Sequence, residues 1–317
     1  MKAGEQARSI TRREEEGRHE EGPGPRTVAS MGMVKTVGLV LHPQRDSKEA
    51  IDTIVEWART RDVTVLGLPD EVGRIDCSAV RVDAATLAER ADLLVSLGGD
   101  GTMLRTMRLA SGRSTPVLGV NLGKLGFLAE IDVAELPPAL SAIDNHHFTV
   151  EPRMAVRAAL PGDQTVTAFN DIALVRIPGD RLSAVAISVA GDPFVRYASD
   201  AVIVATSTGS TAYNFSAGGP LVSPLVEGFL VVPAAAHSSF NRALVLSADE
   251  VVTLELLPAS GQLAIEVDGS VAGRLSPGDH LTVSAMRAAG RVVRLGTTSF
   301  YERARRKLRV SGSAEVD

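Results

Sequence analysis

The stretch DLLVSLGGDGTMLRTMRLA, residues 92–110, decides the fold. Its first six residues are apolar almost without interruption, the signature of a strand buried on both faces of a parallel sheet. Gly98-Gly99-Asp100-Gly101-Thr102 follows at once. Met103, Leu104 and Met107 then recur at helical spacing, which predicts a helix over 102–110 with Arg105 and Arg108 facing away from them. Strand, glycine-rich turn and helix in that order put the turn at the carboxyl edge of a sheet, where open α/β sheets hold their ligands. The glycines are expected to supply positive φ and let phosphate oxygens approach backbone N–H groups, while the helix start adds a favourable partial charge. The turn reads as a phosphate cradle, although it lacks both the GK[ST] ending of a Walker loop and the GxGxxG dinucleotide pattern. A tight turn that needs glycine for shape alone is the other reading.

Outward from this stretch, strands and helices alternate. The pattern predicts strands over 33–41 (MVKTVGLVL), 63–66 and 116–120, with helices over 47–60 and 84–90, which together make a doubly wound α/β domain over 33–126. After a helix near 133–145 the pattern changes. β-branched segments at 147–159, 165–177, 184–190, 201–206, 229–233, 244–256 and 263–267 alternate with Gly, Pro and Asp turns, which predicts a larger antiparallel β-rich domain over 127–298. The end, 299–317, is a C-terminal helix and tail, with Phe300, Ala304 and Leu308 on one face and its arginines read as solvated. Residues 1–32 are charged and aperiodic and are expected to be a disordered tail; a translation start at Met31 or Met33 would explain them equally.

Composition narrows the class. The chain has 317 residues, 44% of them apolar, enough to fill two cores without disulfides or a structural metal. A single cysteine, Cys77, cannot form an internal disulfide and suits a reducing cytoplasm. The net charge of −5 disfavours nucleic acid and anionic membrane, so small molecules are the expected partners. No apolar run reaches a spanning length, and the first residues lack the apolar core of a secretory signal, so none is expected. His146, His147 and His237 have no metal-ligand spacing, so no resident metal is expected.

The candidate chemistry lies in three places. Asp100, the acidic group inside the cradle, fits a general base: a carboxylate of ordinary basicity suffices for phosphoryl transfer if it orients the attacking hydroxyl. Arg105, on the same helix, reads either as a phosphate contact or as an exposed surface arginine. Asn170-Asp171 interrupts the β-patterned run TVTAFNDIALVRI, where a polar pair is costly unless satisfied; taken alone, the pair reads as an Asx turn ahead of a binding role. The stretch TSTGSTAYNFS, 206–216, follows an apolar strand with Asp200 at its start and offers hydroxyls and free N–H groups for a sugar or a base. A Ser/Thr-rich loop with no ligand is the alternative.

GGDGT at 98–102, GVNLGKLGFLAE at 119–130, FND at 169–171 and TGSTAYNFSAGGP at 208–220 together resemble the NAD kinase family in order and spacing, from Met33 to the terminal SFYERARRKLR. GGDGT alone also resembles diacylglycerol and sphingosine kinases, whereas TGSTAY points to NAD. The resemblance implies a nucleotide α/β domain joined to a β-rich domain. It also implies ATP- or polyphosphate-dependent phosphorylation of the adenosine 2′-hydroxyl of NAD, with Mg²⁺ or another divalent cation arriving on the donor. Matched residue by residue, it implies Asp100 as the catalytic carboxylate. It implies nucleotide contacts from Gly98, Gly99, Gly101, Thr102, Arg105, Asn170, Asp171, Asp200, Thr211, Ala212, Tyr213, Asn214, Phe215, Ser216 and Ala235. It further implies a homodimer or homotetramer. A lipid kinase of the diacylglycerol type and a non-catalytic nucleotide-binding regulator remain the alternatives. Ala201, Ser207 and Ala236 depart from the family's usual glycine, proline and proline, and none of the three removes a chemical group.

Overall fold

Five parallel strands carry the first half of the chain. In the computed structural model, residues 33–310 are described except 76, 124, 125, 163, 182 and 297. The expected tail at 1–32 and residues 311–317 lie outside the described residues. β1 (Thr36–Leu41), α1 (Lys48–Arg59), β2 (Thr64–Gly67), α2 (Pro69–Val72), β3 (Val80–Arg81), α3 (Ala84–Arg90), β4 (Leu93–Gly98), α4 (Asp100–Leu109) and β5 (Val117–Asn121) alternate along the chain. The strands lie in the order β5-β4-β1-β2-β3, all parallel. Apolar side chains cover both faces: Ile51 and Ile54 of α1 pack on one, and Leu87 of α3 with Met103 and Met107 of α4 pack on the other. This is the doubly wound arrangement that the alternation predicts.

The next segment belongs with this layer. β6 (Ile131–Asp132) pairs with β5, and α5 (Leu136–Asp144) lays Leu136, Leu140 and Ile143 into the core of α1. Trp57 Nε1 of α1 donates to Asp144 Oδ2 at 3.1 Å across the same contact. Residues 131–144, expected at the head of the second domain, therefore pack on the α/β side, because the apolar stripe of α5 completes the one on α1.

The second half is a sandwich. β7 (Thr149–Ala159), β8 (Thr165–Ala168), β9 (Asp171–Arg176), β10 (Ser183–Val189), β11 (Asp192–Ser199) and β12 (Ala201–Thr206) lead into the short α6 (Tyr213–Ser216). β13 (Gly228–Ala234), β14 (Leu244–Ser247), β15 (Val251–Leu256), β16 (Leu263–Val267), β17 (Ser270–Leu275) and β18 (His280–Arg294) precede α7 (Phe300–Leu308). One sheet has the order β14-β13-β12-β9-β16-β17 and is antiparallel throughout. It packs on β7, β10, β15 and β18 through a core that includes Val156, Ile172, Leu174, Val204, Val231, Leu254 and Val283. The expected strands at 165–177 and 244–256 each divide in two, at Phe169-Asn170 and at Ala248–Glu250.

β18 joins the two halves. It pairs antiparallel with β15 and β7 and then parallel with β5 at Val292 and Val117, so one twelve-stranded sheet runs through both domains. Its register shifts between Met286 and Gly290, where Ala288 adopts φ +48°. That bulge breaks the alternation on which a sequence reading depends.

Candidate active site

Gly99 caps α4, and Asp100 is the first residue of the helix, two positions earlier than expected. A carboxylate in the first helical turn is favoured by the helix dipole. None of Gly98, Gly99 and Gly101 adopts a positive φ, contrary to expectation. Glycine is required at 98 for space instead, since a Cβ there would lie 2.2 Å from Thr102 Oγ1. The side of Gly101 is open, with nothing within 4 Å of where a Cβ would stand, which leaves its backbone accessible to a ligand.

Asp100 grips the segment that follows β5. Its Oδ2 accepts from Phe127 N at 2.9 Å and its Oδ1 from Leu128 N at 3.0 Å. Gly126 makes that approach feasible: a Cβ on it would sit 1.8 Å from Asp100 Oδ1. Each oxygen keeps a further lone pair, so the half-buried carboxylate can still accept a hydrogen bond from a substrate hydroxyl. Arg105 is committed elsewhere, paired with buried Glu71 and donating to the Leu41 carbonyl at 2.6 Å, which fastens α4 to the end of β1.

The other two motifs are knitted together. Thr206 N donates to Asn170 O at 2.8 Å, Thr206 Oγ1 donates to Phe169 O at 2.5 Å, and Gly209 N donates to Thr206 Oγ1 at 3.0 Å. Gly209 lies flat against the FND turn, where an added Cβ would meet Asn170 O at 2.0 Å. Asn214 is fully buried, and its amide donates to Ser210 O and Pro220 O, so it holds the loop closed. Thr211, Ala212 and Tyr213 are partly exposed, and Phe215 and Ser216 are exposed. Asp200 sits at the β11–β12 corner in an ion pair with Arg176 at 3.0 Å, and Ala235, just past β13, adopts φ +51°.

Asp268 connects these loops to the cradle, and its only local mark in the sequence is the turn-forming VDGS at 267–270. At φ +48° between β16 and β17, its buried carboxylate accepts from Asn170 N at 2.7 Å and Phe169 N at 3.3 Å and pairs with Arg108 of α4. The helix that starts at Asp100 is thereby tied to the FND turn. Asp171 itself is 3% exposed. Burial first, then the neighbouring Asp268 and Glu266, pushes its carboxyl up to about 7, while the Tyr213 amide offsets part of the effect. Burial, with Glu266, Asp171 and Asp200 nearby, likewise raises the Tyr213 phenol. These shifts place Asp171, Tyr213, Asp200 and Glu266 within electrostatic reach of one another.

A glycine-rich turn in an α/β domain, tied by an ion pair to a polar double loop of a β domain, defines a two-domain nucleotide phosphotransferase. Comparison with known proteins is specific. The family model described as the ATP-NAD kinase N-terminal domain matches residues 37–148, and that of the ATP-NAD kinase C-terminal domain matches residues 169–295. The chain is 38% identical to NAD kinase 1 of Streptomyces avermitilis over 88% of each chain. It is 32% identical to the NAD kinase of Desulforamulus reducens over 87% of this chain and 98% of that one. Among solved structures it resembles yeast NADH kinase complexed with NADH (TM-score 0.78, 26% identity, 89% of each chain). It also resembles an NAD kinase from Archaeoglobus fulgidus in complex with ATP (TM-score 0.68, 26% identity, 87% of this chain and 100% of that one). The chain belongs to the NAD kinase family.

Proposed function

We propose that this protein transfers the terminal phosphoryl group of ATP or polyphosphate to the adenosine 2′-hydroxyl of NAD, giving NADP. The observation that carries the reading is the Arg108–Asp268 pair, which fixes the Asp100 cradle against the FND and TGSTAY loops. Donor phosphates lie along the open side of Gly101 and the exposed N–H groups at the start of α4. Asn170, Asp171 and the loop from Thr211 to Tyr213 receive the adenosine, with Asp200 and Ala235 as further contacts. Asp100 accepts a hydrogen bond from the attacking hydroxyl and takes its proton as the new P–O bond forms and the donor's P–O bond breaks.

Among the described residues, no group of three or more His, Cys, Asp or Glu side chains is placed to hold a metal ion. In this proposal a divalent cation arrives on the donor's phosphates and would neutralise their charge. Assembly into a homodimer or homotetramer and residence in the cytoplasm belong to the same proposal. Among the described residues, no helix is long and apolar enough to cross a membrane.

The test incubates the full chain with NAD, Mg²⁺ and either ATP or polyphosphate and reads NADP through an NADP-specific dehydrogenase. NADP should accumulate with at least one donor; silence with both would overturn the assignment.

A further inference from the structure

None of the residues just assigned lines the cavity of about 650 Å³ that lies between β7, the 224–227 loop, the end of β18 and the start of α7. The volume is in the range of sites for small organic ligands. Its walls combine an apolar side, with Met154, Leu225, Val226 and Phe300, and a charged floor. Four guanidiniums line it, from Arg153, Arg287, Arg294 and Arg303, against three carboxylates, from Glu130, Glu151 and Glu227. Arg287 is matched by Glu227 and by Asp249 beside it, so the excess of one positive charge belongs to Arg153, Arg294 and Arg303 against Glu130 and Glu151.

The floor is built and buried. Glu151 accepts from Arg153 at 2.7 Å and Arg294 at 2.8 Å, while Glu130 accepts from Arg294 at 2.7 Å and Arg303 at 3.2 Å. Burial pushes the Glu151 carboxyl up, but Arg153 and Arg294 outweigh it and hold it at about 2, so the carboxylate stays charged. Arg153 is 2% exposed and Arg303 3%, and the Nε of each is buried without a hydrogen-bond partner. An unmatched cation in a low-dielectric wall is costly unless an anion completes it. Arg303 also departs from the solvated face expected for the arginines of α7.

The floor reaches the proposed catalytic carboxylate through one short segment. Arg294 Nη1 holds Glu130 and lies 3.5 Å from the Leu128 carbonyl, and Leu295 N donates to Glu130 Oε1 at 2.9 Å. The backbone N–H groups of Leu128 and its neighbour Phe127 are the two that Asp100 accepts. We infer that this cavity is an effector site for a small organic anion, a carboxylate on a compact apolar body, which pairs with the arginine floor and shifts the 127–130 segment that seats Asp100. The coupling part of this inference rests on the proposed role of Asp100; the binding part does not.

The test uses calorimetry of the full chain without nucleotide, titrated with 4-phenylbutyrate, with its neutral amide and with inorganic phosphate. The carboxylate should bind, and the amide about tenfold or more weaker for lack of charge-assisted hydrogen bonds. Binding of phosphate as tightly as phenylbutyrate would refute the apolar half of the site. Val226→Glu, at the half-exposed rim, cancels the excess charge. It should leave basal turnover within about twofold and weaken the carboxylate about tenfold or more. Saturating phenylbutyrate should change kcat for NAD by about twofold or more in the native chain and not in Val226→Glu. No heat with the carboxylate, heat that Val226→Glu leaves unchanged, or heat explained by a change of mass in sedimentation would overturn the site. Binding without any effect on kcat would overturn the coupling, and an enzyme that makes no NADP would leave the calorimetric result standing by itself.

Discussion

Asp171→Asn should make the protein more stable and a worse enzyme, and the size of the gain follows from the site. The Asp171 carboxyl ionises at its ordinary 3.8 when unfolded and at about 7 when folded. Below 3.8 both states are protonated and the group contributes nothing to the pH dependence. Between 3.8 and about 7 the unfolded state releases a proton that the folded state keeps, so stability falls as pH rises and stays low above 7. The full gap corresponds to roughly 4 kcal/mol, since each pKa unit carries about 1.4 kcal/mol. Relaxation and water entry around the charged form lower what is recovered to about 2 kcal/mol. Asparagine keeps the shape and an acceptor for the Tyr213 amide but carries no charge beside Asp268 and Glu266. Its melting temperature should exceed that of the native chain by about 3 °C at pH 8.5 and differ little at pH 4.5. The same ionised carboxylate is the better acceptor for an adenosine N–H or O–H. The KM for NAD should therefore fall as pH rises through about 7 in the native chain and stay high and flat in the variant. Scanning calorimetry at the two pH values decides the matter: a variant equally or less stable at pH 8.5 would refute the reasoning.

Three further substitutions probe the rest of the site. Asp100→Asn should lower kcat by about 10² to 10⁴ with the KM for NAD changed only severalfold, the usual scale for loss of a general base, and steady-state kinetics would show it. Asp268→Asn leaves Arg108 without its buried partner and loosens the Phe169 and Asn170 amides. It should cost about 2 kcal/mol in urea denaturation and raise the KM for NAD more than that for the donor. Ser207 has φ −57°, close to the value proline imposes, and follows the extended Thr206. Ser207→Pro should raise stability by about 0.5–1 kcal/mol in the same denaturation, with activity retained.

Much of this was legible in the sequence because local pattern and tertiary role coincide. β4 is buried on both faces and reads as an unbroken apolar run; GGDGT follows it; α4 shows its apolar stripe. The joining strand β18 was not legible, because the Ala288 bulge and the small residues around it hide a fifteen-residue strand. The cradle glycines do not adopt the positive φ that a glycine-rich turn suggests. Side-chain space beside Thr102, not left-handed φ, demands glycine at 98, while a Cβ at Gly99 or Gly101 would meet no close neighbour. Asp268 could not be assigned from VDGS, since its work is done on amides about a hundred residues earlier in the chain. Arg303 shows the converse error. Helical spacing put it on the polar side of α7, but that side meets Glu130 inside the protein.

The account turns on one juxtaposition: an adenosine held by the FND and TGSTAY loops presents its 2′-oxygen to Asp100. A crystal structure of the protein soaked with NAD measures that directly. The 2′-oxygen should lie about 3 Å from an Asp100 carboxylate oxygen. An adenosine found well beyond hydrogen-bond reach of Asp100 in every subunit would contradict it.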